Sequence, residues 1–338
     1  MNRRTFLFTA AAGMAGGAQA KIRIGFLGVS HSHAWDKTVV VRESPHWELA
    51  GVVEKDPAVR GRYEKAGIRV LSDEELLGDP TIRVVAVESA VPQHARDARR
   101  ALSAGKHVHL EKPPADNLKE FQDLVRLARE KGLLLQMGYM WRFHPGINAA
   151  LEAARNGWLG EVFLVRGTMN TLIGPERRPE WALFRGGQMF EQGCHLIDPL
   201  VRLLGRPSHV TSVLKTHGRY DDDLADNTVA VFEFSRALGV ITSSVLQPGA
   251  NRHRAFEIFG SNGSAVVRPI EPPKLEIDLA DSAGPYQAGV QEVALPVYRR
   301  YVGEFDELAR ALQTGGGLSV TPEEDLLVQE ALLQASGM

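Results

Sequence analysis

Three places in this sequence carry side chains suited to proton and phosphate chemistry: Lys112, held between Glu111 and Pro113; Glu191 and His195; and the loop Gly28-Val29-Ser30-His31-Ser32-His33. An imidazole titrates near neutrality and suits proton transfer, and two residues four apart on a helix share a face, so Glu191 and His195 are expected to point together into one cleft. The loop stands where a strand-to-helix phosphate-binding turn would carry G-x-G-x-x-G. In that motif the first glycine turns the chain, the second lets backbone approach a pyrophosphate, and the third lets helix pack on strand. Gly28 meets the first need. Ser30 can hydrogen-bond phosphate, whereas His33 is bulky at the third position.

Other positions extend this reading. Glu54 closes a second apolar run 26 residues after Gly28, near where an acid would accept the hydroxyls of an adenosine ribose. An acid there repels a 2′-phosphate and favours NAD over NADP, with Lys55 beside it keeping NADP open. His31 and His33 form a metal-like pair without a third ligand in reach of sequence logic. They are read as packing or phosphate-contact residues, and no metal site is expected. Pro92 and His94 follow an apolar run at the start of a helix, where His94 would either meet a cofactor or cap the helix. Asp221-Asp222-Asp223 reads as a solvated loop, and Cys194 as packing.

The elements that must position these residues follow from periodicity. Residues 21–28, 47–53, 82–87, 107–110 and 133–137 read as buried strands, with a short one near 68–71. Helical stretches at 33–43, 57–66, 93–104 and 117–131 alternate with them. That β-α-β rhythm predicts an α/β fold with a doubly wound parallel sheet (a Rossmann domain) and ligands at the strands' carboxyl ends, where Lys112 then sits. After Gly138 the pattern changes: a helix at 145–156, then long strands at 161–169, 228–234 and 239–246, interrupted by a helical stretch at 188–204. Helices at 298–313 and 322–335 follow. A C-terminal α+β domain with a large mixed or antiparallel sheet is expected. The division is 1–20 targeting segment, 21–138 nucleotide domain, and 139–338 substrate-binding and oligomerisation domain.

Composition narrows the partners. With 338 residues, 44% hydrophobic and 24% charged, the chain can fill two cores, and a net charge of −2 gives no electrostatic case for nucleic acid. A single cysteine excludes an intramolecular disulfide and a Cys-rich zinc site. Arg3-Arg4, Phe6-Leu7, a short Ala/Gly-rich run and Ala18-Gln19-Ala20 read as a twin-arginine signal, implying export of a folded protein to the periplasm and no stable membrane anchor. An exported enzyme lacks a supply of free nucleotide, so a tightly held cofactor is expected.

VPQHARDARRALSAGKHVHLEKPPA (91–115), GYMWRFHP (138–145), WLGEV (158–162) and GGQMFEQGCHLID (186–198) together resemble the Gfo/Idh/MocA oxidoreductases, in order and spacing across essentially the whole chain after residue 20. The resemblance implies NAD(P)-dependent oxidation of a secondary hydroxyl on a sugar, polyol or related compound. It makes Lys112 the group that touches the reacting hydroxyl, His195 the proton acceptor, and Glu191 the residue that orients His195 or binds substrate. It also places Pro92 and His94 beside the nicotinamide, gives Glu111 a role in positioning loop or cofactor, and implies a homo-oligomer. Two departures stand out: the eroded glycine loop, and Glu191 where the family has Asp. Two competing readings are an NAD-dependent glycoside hydrolase or lyase using transient oxidation, and a non-catalytic binding protein of the same fold.

Overall fold

In the computed structural model the described residues are 20–338; the expected targeting segment lies outside them except for its last residue. Five parallel strands form the first sheet: β1 (Ile22–Leu27), β2 (Trp47–Val53), β3 (Ile82–Val87), β4 (His107–Leu110) and β5 (Leu135–Met137), in the order β2-β1-β3-β4-β5. Their near-continuous burial is what a sheet covered on both faces requires. The covering helices are α1 (Ala34–Glu43), α2 (Pro57–Lys65), α3 (Asp73–Gly78), α4 (His94–Ser103) and α5 (Leu118–Glu130). Their starts are written locally. Asp56 accepts the Ala58 and Val59 amides ahead of Pro57, Ser72 and Glu75 form a reciprocal capping box, and Asn117 accepts the Glu120 amide.

The strand expected near 68–71 is reduced to one parallel bridge, Val52 with Val70. Val52 N donates to Arg69 O and Val52 O accepts from Leu71 N before Ser72 caps α3, leaving no room for a longer ladder. Counted in, the segment completes the 3-2-1-4-5-6 order of a dinucleotide fold, whose chain direction reverses between β1 and β3. At that switch point Gly28 has φ +72°, and a side-chain carbon there would lie 2.4 Å from Ser89 Cβ and 2.6 Å from Ser89 Cα. The tight turn after β1 and the end of β3 meet only because residue 28 has no side chain.

Beyond α6 (Pro145–Arg155) an eight-stranded sheet runs β13-β12-β11-β10-β6-β9-β8-β7. Its strands are β6 (Val162–Asn170), β7 (His209–Lys215), β8 (Asn227–Glu233), β9 (Leu238–Ser244), β10 (Ala255–Gly260), β11 (Gly263–Val267), β12 (Leu275–Leu279) and β13 (Gly289–Glu292). All neighbours are antiparallel except β6 and β9, so the sheet is mixed. One face buries Val165, Phe232, Ile241 and Ile258 against α6 and α8 (Cys194–Leu204), which follows the short α7 (Arg178–Ala182). The other face is open.

The last two helices, α9 (Val302–Thr314) and α10 (Pro322–Ala335), return to the first sheet's side of the molecule. Trp47 Nε1 donates to Phe305 O at 3.2 Å, and Gln329 Nε2 donates to Ala115 O at 2.6 Å. The helix expected from 298 begins at Val302, because Tyr301 takes φ +69° and breaks the pattern. Between the two sheets, Arg142 is buried with Asp198 (2.6 Å) and Asp325 (2.6 Å), tying the crossover segment to α8 and α10. The acidic run at 221–223 is partly structural: Asp222 pairs with the buried Arg178 at 2.5 Å.

Gly28→Ala should destabilise the fold by about 2 kcal/mol or more, since it adds positive-φ strain to a backbone clash. Gly61→Ala in α2, where nothing lies within 4 Å, should instead stabilise by ~0.5–1 kcal/mol. Urea unfolding of the two variants beside the parent protein checks both signs.

Candidate active site

At the carboxyl edge of the first sheet lies a cleft of about 360 Å³, lined by Gly28, Ser30, Glu54, Ser89, Gln93 and Arg96 among others. Glu54 is fixed there by backbone amides. Its Oε2 accepts from Val29 N (2.9 Å), and its Oε1 accepts from Lys55 N (2.8 Å) and Asp56 N (2.9 Å). The carboxylate at the end of β2 is therefore held in place with a lone pair of Oε2 to spare. Ser89 Oγ is buried without a partner among the described residues. A positive-φ glycine, a pre-set carboxylate and an orphan hydroxyl around one crevice fit an extended, hydroxyl-rich dinucleotide.

Deeper in, the chain gathers charge away from water. Lys112 is fully buried, and its Nζ donates to Glu191 Oε1 and to Glu191 O, both at 2.9 Å. Burial alone would strip the ammonium of its proton; the Glu191 carboxylate reverses that and holds the Lys112 pKa above its ordinary value. Burial likewise disfavours the Glu191 anion, yet Lys112 and His31 outweigh it and bring that carboxyl down to about 2. The pair is charged at any pH near neutrality.

His195 differs. It is 2% exposed, neither ring nitrogen has a hydrogen-bond partner among the described residues, and Trp141 covers it with ring centroids 5.2 Å apart. Burial, then the nearby Lys112 charge, push its pKa well below the usual imidazole value, so it is a neutral base. The expected Glu191–His195 partnership is not formed. Met189–Gly193 is a π-helical turn rather than α-helix, so the four-residue spacing no longer aligns the two side chains, and Glu191 turns to Lys112.

The histidines of the eroded loop converge on Glu111. His33 Nδ1 lies 3.2 Å from Glu111 Oε2, His31 Nδ1 lies 3.9 Å from the same oxygen, and His31 Nε2 is 3.6 Å from Glu191 Oε1. These two rings thus face inward, not toward the open cleft. Glu111 also accepts Lys37 Nζ at 2.5 Å, and Lys37 Nζ donates to Glu88 Oε1 (2.8 Å) and His109 Nε2 (2.9 Å). Glu304 of α9 lies 3.6 Å away.

Lys37, Glu88, His109 and Glu304 escaped the sequence reading because a lysine on a helix reads as solvated. One signal was present: Ala34, Lys37, Thr38 and Val41 occupy the i, i+3, i+4, i+7 face of α1, the face that must be buried. Pro92 and His94 take different surroundings. Pro92 is exposed in a short 3-10 turn, and the His94 ring sits between Pro113 O (2.7 Å) and Ser89 O (2.8 Å), linking two backbones instead of capping α4. Cys194 is buried and its thiol is raised by burial, as packing requires.

The fold and this arrangement define a two-domain nucleotide-binding protein. A model of an oxidoreductase family with an NAD-binding Rossmann fold matches residues 22–139, and a model of the GFO/IDH/MocA C-terminal domain matches residues 147–266. The chain belongs to the Gfo/Idh/MocA oxidoreductase family. It is similar to D-xylose dehydrogenase of Paenarthrobacter nicotinovorans, 23% identical over 81% of this chain and 78% of that protein. Several other curated relatives are matched over only 39% to 60% of their own length. Two solved structures share the fold. Aldose-aldose oxidoreductase from Caulobacter crescentus has TM-score 0.80 and 22% identity, covering 94% of this chain and 98% of that one. GenD2 from gentamicin A biosynthesis, in complex with NAD, has TM-score 0.79 and 23% identity, covering 96% of each.

The Lys112–Glu191 pair gives a signed pH prediction. Because the folded-state pKa of Glu191 is depressed from 4.5 to about 2, its contribution is present above pH 4.5 and is lost as pH falls toward 2. Glu191→Gln should cost about 3 kcal/mol at neutral pH, and that difference from the parent should shrink as the pH drops through this window. Urea unfolding along a pH series reads it.

Proposed function

We propose that this protein oxidises a secondary hydroxyl of a sugar, polyol or related compound, using NAD bound along the crevice from Glu54 to the Lys112 region. The observation that carries the reading is a charged lysine and a neutral, unpartnered histidine, both buried at the carboxyl edge of a dinucleotide sheet. When bound, the dinucleotide supplies a two-electron acceptor. Lys112 Nζ, kept charged and aimed by Glu191, donates a hydrogen bond to the substrate oxygen and stabilises the negative charge that grows there. His195, neutral and with free lone-pair capacity, takes the hydroxyl proton. Trp141 closes over the ring and excludes water, and Glu54 favours NAD by repelling a 2′-phosphate. Lys112, Glu191 and His195 are almost wholly buried, so the reaction is shielded from bulk water.

The sugar-type names of D-xylose dehydrogenase and aldose-aldose oxidoreductase support the substrate class, and the NAD in GenD2 supports the cofactor. Three further features belong to this reading. Export by the twin-arginine route rests on the N-terminal sequence pattern alone. A tightly held nucleotide follows from export. A homo-oligomer is supported by the open face of the second sheet, where Leu164 pairs with Leu238 and Val231 with Val240 in register. Among the described residues no helix is long and apolar enough to cross a membrane.

Protein purified from the exported compartment should release NAD on denaturation, identified by mass spectrometry, and should reduce it with a panel of aldoses and polyols. His195→Ala and Lys112→Met should each lower kcat by ~10²–10⁴ with little change in nucleotide binding. A folded preparation with no nucleotide and no affinity for added NAD would overturn the reading in favour of a binding protein. Turnover of a glycoside without net NAD reduction would replace it with redox-assisted cleavage.

A further inference from the structure

The loop that lost its glycines gained two imidazoles, and the fold supplies what the sequence could not show. His31, His33 and Glu111 each offer a ligand atom, and these atoms all lie within 4.8 Å of one another, with the closest pair 3.2 Å apart. Ligands about 2.1 Å from a common ion sit roughly 3–3.5 Å from each other, so closing the set needs only a small adjustment of the rings. Two histidines and one glutamate are the donor set of open, catalytic-type sites, which leave positions free for oxygen ligands.

A second observation points at the same place. The His195 ring lies 6.1 Å from His33, buried, with both nitrogens unpartnered among the described residues. A buried imidazole left unsatisfied marks a missing partner, here the substrate oxygen that an ion at the loop would hold.

A third concerns charge. Lys37 contacts Glu88, Glu111 and Glu304, and Lys112 contacts Glu191, all six out of water. Four carboxyl groups face two ammonium groups here, and the surplus is balanced either by protons on Glu88 and Glu304, which burial favours, or by a divalent cation. Arg142 and Arg300 do not help, because each is already paired with other carboxylates, Asp198 with Asp325 and Glu271 respectively.

We infer that His31, His33 and Glu111 form a binding site for a divalent cation of the zinc, cobalt or manganese class, its open positions facing the Lys112–His195 constellation. Glu191, 3.6 Å from His31, borders the site and joins it to Lys112. Ligation through His33 Nδ1 moves that ring's proton to Nε2, so no acid–base partner is required. The ion's ligand is an oxygen: water at rest, and one of two adjacent hydroxyls of a polyhydroxylated substrate during turnover. Lys37 keeps the Glu111 carboxylate ionised and turned toward the histidines, as outer-sphere partners of metal ligands do. The inference goes beyond the dehydrogenase reading and does not depend on it.

The test uses the full chain, chelator-treated and free of substrate, titrated with Co²⁺ alone and read by its visible absorption and by calorimetry. The expected result is one Co²⁺ per chain, displaced by Zn²⁺, with binding weakened ~100-fold or more by His33→Gln and by His31→Gln. His217→Ala, a surface histidine on the second domain, should bind as the parent does. Circular dichroism and melting of each variant separate loss of the ion from loss of the fold, and His33, less buried than His31, is the milder change. Binding that ignores both loop substitutions overturns the inference. So does absence of stoichiometric binding by Co²⁺, Zn²⁺ and Mn²⁺ at millimolar concentration in a folded parent, in which case protons on Glu88 and Glu304 balance the cluster. Neither result touches the NAD reading, since no nucleotide enters the measurement.

Discussion

Lys37 and Glu111, 2.5 Å apart and sealed from water, form the contact on which the two halves of the site depend. An unpaired charge at either position would cost several kcal/mol, so each fixes the other. Glu111 lies at the end of β4 directly before Lys112, and its Oε1 accepts the Lys112 amide at 3.0 Å. Lys37 comes from α1, directly after the eroded loop. The pair therefore sets the distance between the nucleotide loop and the lysine that faces the second domain. Burial pushes Glu88 well above its usual value and Glu304 to about 7, while Lys37 partly opposes both shifts, so the cluster sits close to a change of proton count.

The same cluster explains the tolerance of a poor glycine motif. The third glycine normally lets α1 pack tightly on β1. Here His33 stands at that position with its ring drawn inward to Glu111 and against Tyr301, ring centroids 5.5 Å apart, so bulk that would hold the helix away is absorbed as a contact. The second glycine's place is taken by Ser30, which stays exposed at the mouth of the crevice.

Much of the architecture was legible because it rests on local rules. The alternation of buried runs and amphipathic stretches placed β1 to β4 and α1, α2, α4, α5 and α6 within a few residues, but missed α3, whose six residues are too short to show a helical period; the shift of texture after Gly138 announced the mixed sheet. The edge segment at 68–71 was overread, because apolar character says nothing about how soon the next helix must begin. The site was legible in its parts but not in its partnerships. Lys112, Glu191 and His195 were picked out by motif, yet a π-turn that spacing cannot reveal gave Glu191 to Lys112. His31 and His33 lacked a third ligand on paper because Glu111 lies 78 residues away and arrives only through the β1-β3-β4 order. Lys37 was hidden by its chemistry, since a charged residue on an inner helix face looks like an error in the pattern until its partners are in view.

The return of α9 to the first sheet bears on the order of assembly. Glu304 enters the cluster around Lys37, and the Phe305 carbonyl accepts a hydrogen bond from the Trp47 indole across 258 positions of chain. These contacts cannot form until residues 302–314 have joined the nucleotide domain. Until then the amino-terminal half holds a lysine and two glutamates with one side open to water. Contacts of such long sequence separation are slow to close, because the loop-closure entropy must be met before they stabilise the fold. The nucleotide domain is continuous in sequence through β5, but its buried charge cluster is completed only by α9.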